Sequence, residues 1–141
     1  MTMKQLMVSL TLLVFVMACR KHESAESLRL KTEKLVKGKW MVDSVVRVRY
    51  EPIQTYHSST VYRGAAADSV LFGNDLIAHN YCSEIPIALT ASYGMVNYRQ
   101  IGWGNDFWYI THINANTMVI EKDANYVDQN RRLVQRFYFH R

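Results

Sequence analysis

Between Lys39 and Tyr50 the chain alternates with a period of two. Trp40, Val42, Ser44, Val46, Val48 and Tyr50 fall on one face, and Lys39, Asp43, Arg47 and Arg49 on the other. Successive side chains of a strand point to opposite sides, so this pattern predicts a long, half-buried β-strand. Shorter runs of strand character follow at residues 69–72, 76–82, 87–92, 95–103, 107–113, 117–122 and 132–140. Turn residues separate them: Gly73-Asn74-Asp75, residues 83–86, Tyr93-Gly94, Gly104-Asn105-Asp106, Asn114-Ala115-Asn116 and residues 123–130. Eight strands with tight connections predict an all-β, antiparallel barrel or sandwich. One connection, residues 51–68, is far longer than the rest, and loops of that length are usually functional or mobile.

Ahead of the first strand, residues 24–37 predict one short helix. Glu23 and Glu26 stand at its start, Lys34 and Lys37 at its end, and Gly38 is a natural stop. Residues 1–18 read as a bacterial secretory signal, with Lys4 as a minimal basic region and an apolar run at 6–16. That run is too short to span a bilayer, which takes about 20 apolar residues. The expected organisation is therefore a signal peptide at 1–18, a tether and short helix at 19–37, and one domain at 38–141. A formal net charge of +5 arises from scattered basic residues, which suits contact with anionic lipid or polysaccharide. Export makes nucleic acid an unexpected partner.

Two resemblances sharpen this reading. Val16-Met17-Ala18-Cys19 resembles the lipobox of bacterial lipoproteins. That resemblance implies cleavage before Cys19 and a lipid anchor on it; the alternative is an ordinary signal peptide in which Cys19 is incidental. Arg20 follows where aspartate would favour inner-membrane retention, so the expected location is the outer membrane of the cell envelope. Gly38-Lys39-Trp40, after a short helix and at the start of the first strand, resembles the G-x-W signature of lipocalins. The mature domain is similar to the lipocalin-like domains of small bacterial lipoproteins, which implies an eight-stranded barrel. It also implies a bottom closed by Trp40, a late arginine (Arg141 first, Arg136 second) packed across that tryptophan, and a first loop folded over the open mouth. The second lipocalin signature, a T-D pair in a later turn, has no clear copy here.

Candidate chemistry is sparse. His79 and Cys82 lie three apart, on opposite faces of a regular strand, and read as structural rather than as a metal site. With Cys19 lipidated, Cys82 is expected as a buried thiol. No nucleophile elbow or phosphate loop is present, and aspartates such as Asp106, Asp123 and Asp128 sit in or beside turns, where backbone hydrogen bonding explains them. Neither catalysis nor a cofactor is expected. Trp40, Phe107, Phe137 and Phe139 are expected in the core. In an eight-strand meander the end of the first strand shares one rim with alternate later turns. Tyr50, Tyr62, Trp103 and Tyr126 are therefore expected around one opening, as a site for a small apolar or glycan-like ligand. The rival expectation is a barrel filled by its own side chains, acting as an interaction subunit or as an inhibitor of an envelope enzyme.

Overall fold

The computed structural model describes residues 23–126 and 129–141. The signal segment, Cys19 and the tip of the last hairpin, with Asp128, lie outside the described residues. Among those described, one helix, α1 (Ala25–Val36), precedes nine strands. These are β1 (Gly38–Tyr50), β2 (Tyr56–Arg63), β3 (Ser69–Phe72), β4 (Ile77–Asn80), β5 (Thr90–Asn97), β6 (Gln100–Trp103), β7 (Asp106–Ile113), β8 (Thr117–Tyr126) and β9 (Arg131–His140). All pairings are antiparallel. β1 and β3 to β9 follow one another around the sheet, and β1 pairs with β9 to close an eight-stranded barrel. β2 is an extra strand hydrogen-bonded to the second half of β1.

α1 starts and stops where local chemistry dictates. Ser24 caps it, its hydroxyl accepting from the Ser27 N–H at 3.1 Å, and the Lys37 N–H closes the last turn on Glu33 O at 3.2 Å. Gly38, at φ +113°, then turns the chain into β1. The helix buries Val36 and Thr32 against the barrel and contacts β5 and β7. At this closed end the Trp40 indole donates to Val36 O at 2.7 Å. The Arg141 guanidinium lies 4.2 Å from the centroid of the Trp40 ring and donates to Leu35 O at 2.7 Å and Lys37 O at 2.6 Å. The expected arginine across the tryptophan is thus Arg141. Arg136 instead pairs with Glu121 on the outer wall.

β1 departs from its sequence pattern at Asp43. Val42 pairs with Phe139 and Ser44 with Tyr138, so one residue is inserted between them as a β-bulge. Below the bulge Trp40 and Val42 face the core; above it the inward residues are Val45, Arg47 and Arg49, while Val46, Val48 and Tyr50 face outward. The single unbroken stripe expected from alternation is therefore wrong, because an inserted residue exchanges the two faces. Two distant backbone segments hold the bulge: Gly64 N–H donates to Asp43 O at 2.9 Å, and Val42 N–H donates to Asp68 O at 3.0 Å. A Cβ on Gly64 would lie 1.7 Å from Val42 O, so only glycine fits there.

Further expectations need correction. Residues 51–68 do not form an open loop across the mouth, since Tyr56–Arg63 pairs with β1 as β2. Tyr93-Gly94 is no turn. Tyr93 points into the core, its hydroxyl donating to Gly73 O at 2.5 Å, and Gly94 pairs with Gly102 in mid-sheet. The β5–β6 turn falls instead at Tyr98-Arg99, where Asn97 Oδ1 accepts the Arg99 N–H at 2.8 Å. Phe107 is 60% exposed rather than buried, its ring lying over Gly102 on the outer face. The interior is filled by Trp40, Phe72, Trp103, Trp108, Phe137 and Phe139 with Ile101, Met118 and Ile120.

Gly64→Ala is expected to lower stability by about 2 kcal/mol or more, because the new methyl must push apart two backbone segments that hydrogen bond to each other. Urea unfolding checks this: a midpoint unchanged from the parent chain would mean that the bulge is not seated on Gly64.

Candidate functional site

The end of the barrel at which β1 finishes carries the chemistry. Antiparallel order places the 81–89 connection, the Gly104-Asn105 turn and the β8–β9 hairpin at this same end, as the strand pattern implied. Residues 81–89 fold inward here. Asn80 organises them: its Nδ2 donates to Ile85 O at 3.2 Å and Ile87 O at 2.9 Å, and its Oδ1 accepts the Cys82 N–H at 3.1 Å. Cys82 and Ile85 are thereby buried in the core, and Ile87 leans toward Gly104. From β1 the Arg47 side chain reaches this loop, its Nη1 donating to Glu84 Oε2 at 2.9 Å and its Nη2 to Glu84 O at 2.5 Å. The segment lying across the mouth is this loop and not the connection after β1. A cavity of about 410 Å³ is lined by Asn80, Tyr81, Cys82, Ser83, Ile85, Ile87 and Leu89.

The inner face above the core is polar and largely basic. Lys122 pairs across the sheet with Gln135, and Gln135 with Arg47. Lys122 Nζ lies 2.5 Å from Asp106 Oδ1 and 5.6 Å from the centroid of the Trp108 ring. One register step higher stand Leu133 and Arg49, and above them Tyr126 pairs with Arg131. Both indole nitrogens nearest this layer, Nε1 of Trp103 and of Trp108, are buried and have no hydrogen-bond partner among the described residues. A buried donor left unpaired costs about 1–3 kcal/mol, so two such groups on adjacent strands call for an acceptor.

The four aromatic residues expected around the opening are placed as follows. Tyr62 is half-buried on the inner face opposite Val45, its hydroxyl donating to Asp68 Oδ2 at 2.5 Å. Tyr126 is 37% exposed at the top of β8, beneath the Arg131 guanidinium at 4.8 Å. Trp103 is fully buried against Phe72, with ring centroids 5.1 Å apart. Tyr50 faces the other way. The bulge turns it to the outer wall, where the Arg132 guanidinium lies 5.1 Å from its ring centroid, whereas the other three face inward. The sequence pattern missed Arg47, Lys122, Gln135 and Trp108. Trp108 and Lys122 carried a signal in their strand periodicity, whereas Arg47 carried none, because alternation placed it on the solvent side.

His79 and Cys82 diverge. His79 is on the outer wall beside Thr90 and Tyr81, and Cys82 lies in the core, where burial pushes its thiol above the ordinary range. Among the described residues no group of three His, Cys, Asp or Glu side chains could hold a metal ion, and no helix is long and apolar enough to cross a membrane.

Compared with protein-family models, curated proteins and solved structures, the chain matches none.

The Tyr62–Asp68 hydrogen bond pushes the Tyr62 phenol up to about 12, with burial adding to the effect. The same bond, with the Ala65 N–H, holds the Asp68 carboxyl below its usual value. Below pH of about 10, where an unfolded tyrosine stays protonated, the Tyr62 contribution is intact; it is lost as pH rises through about 12. The Asp68 contribution is intact above pH of about 4 and is lost as pH falls through its lowered folded value. Tyr62→Phe is expected to flatten both limbs of the stability profile, measured as urea midpoints against pH. Equal limbs in both proteins would show that the bond adds nothing.

Proposed function

We propose that residues 38–141 form a binding module for a small ligand received at the mouth end, on a chain anchored to the cell envelope by a lipid on Cys19. The observation that carries this reading is the cavity of about 410 Å³ beside the inward-folded 81–89 loop. It falls within the roughly 300–1,000 Å³ usual for small-molecule sites and combines apolar walls (Ile85, Ile87, Leu89) with a few polar groups. Binding is the reading that the cations, amides and aromatic rings at this end support. α1 leads into β1 at the closed end, so a lipid on Cys19 would tether that end and leave the mouth facing away from the membrane. Outer-membrane placement belongs to the same proposal, through Arg20.

A second reading is favoured by the filled interior. Three tryptophans and three phenylalanines occupy the barrel, which suits an interaction subunit or an inhibitor of an envelope enzyme that offers its outer surface to a protein.

Native mass spectrometry of the protein isolated from its own envelope separates these. The small-ligand reading expects an added mass of a few hundred daltons, lost on denaturation. A stoichiometric protein partner with no small adduct would replace that reading with the second. For the anchor, Cys19→Ser is expected to release the protein from the membrane fraction and to abolish the acyl mass increment; a variant that stays lipidated removes the proposal.

A further inference from the structure

We infer, resting on the small-ligand reading above, that the ligand leads with a carboxylate, received by the indole N–H groups of Trp103 and Trp108 with Lys122 as its counter-ion. Trp40, Trp103 and Trp108 are each fully buried, yet they differ in one respect. The Trp40 N–H, at the closed end, is spent on Val36 O at 2.7 Å, whereas those of Trp103 and Trp108 meet no acceptor among the described residues. Both stand on the inner face of adjacent strands. Trp103 pairs with Asp106 and Trp108 with Ile101, which makes the two indoles diagonal neighbours at the level of the polar layer.

The groups around them decide which ligand fits. Lys122 lies over the Trp108 ring, and Gln135 and Arg47 follow on the same register row. The acids within reach, Asp106 and Glu84, are committed to Lys122 and Arg47 respectively. Donors therefore exceed free acceptors. A purely apolar ligand would leave both indole groups unpaired, and a cationic one would compete with Lys122 and Arg47. A carboxylate accepts up to four hydrogen bonds and could take both indoles and the Lys122 ammonium together. Asp106, at the start of β7 and partly exposed, can turn to water as the ligand takes its place on Lys122.

The test uses the full chain carrying Cys19→Ser, labelled with nitrogen-15, and three probes of one chain length: decanoate, decanol and decyltrimethylammonium. Three tryptophans give three indole N–H signals, assignable by single Trp→Phe variants. Decanoate is expected to shift the Trp103 and Trp108 signals, leave that of Trp40 in place, and bind at least about tenfold more tightly than the ammonium probe, as one charged contact would provide. Lys122→Met is expected to lower the ratio of decanoate to decanol affinity about tenfold. Trp108→Phe, which keeps an aromatic side chain but removes the indole N–H, should lower it in the same direction. Equal binding of decanoate and the ammonium probe, or bound decanoate with unmoved indole signals, overturns the carboxylate assignment while leaving the small-ligand reading intact; water then satisfies the indoles. Failure of all three probes, with no small adduct on the protein from its own envelope, overturns both.

Discussion

The bulge at Asp43 is the constraint on which the rest of the molecule depends. β1 is shared among three neighbours: its first residues pair with β3, its second half with β2, and nearly its whole length with β9. A single extra residue in such a strand changes which side chains look inward from that point on. Below it the interior receives Trp40 and Val42; above it, after Val45, the interior receives Arg47 and Arg49. One strand thereby contributes to an apolar core and to a polar mouth. Gly64 and Asp68, which hold the bulge, are also the residues at which the chain leaves β2 and heads for β3, so the extra strand and the change of face are one structural event.

The two ends of the barrel are built on opposite principles. At the closed end the Trp40 indole is matched to Val36 O, and the Arg141 guanidinium to the carbonyls of Leu35 and Lys37 and to the Trp40 ring. At the mouth end the ion pair Arg47–Glu84 ties β1 to the 81–89 loop and Lys122–Asp106 ties β8 to its neighbour β7, and two buried indole donors have no partner among the described residues. Unsatisfied buried groups are rare in folded proteins because nothing offsets their desolvation. Among the described residues such groups gather at the mouth end, which is what favours that end for the proposed ligand.

Much of the architecture was readable from residue order. The limits of α1 follow from Ser24, the charge order and Gly38, and β3 falls on the residues its pattern named. Errors arose where a local signal had a tertiary explanation. Tyr93-Gly94 has the composition of a turn, yet Tyr93 is held inward by its bond to Gly73 O, and the bare backbone at Gly94 meets another glycine across the strand pair. Phe107 looked like a core residue because of its type, but its register with Gly102 places it outside. Of the aromatic residues expected at the mouth from strand order, Tyr62 and Tyr126 lie on the inner face but in strands rather than in the predicted connections, Trp103 is too deep to be exposed, and Tyr50 is reversed by the bulge.

The sequence by itself determined the period-two strands, the number that close the barrel, the capped helix before them and the end at which the later turns gather, because these rest on spacing and on the conformational limits of glycine, serine and asparagine. Only the tertiary structure decided which face Arg47, Arg49 and Tyr50 present and which loop covers the mouth. Those outcomes depend on hydrogen bonds from Gly64 and Asp68 to a strand far from them in the chain, and on the Asn80 side chain gathering three backbone groups. Alternation along one strand carries no record of either.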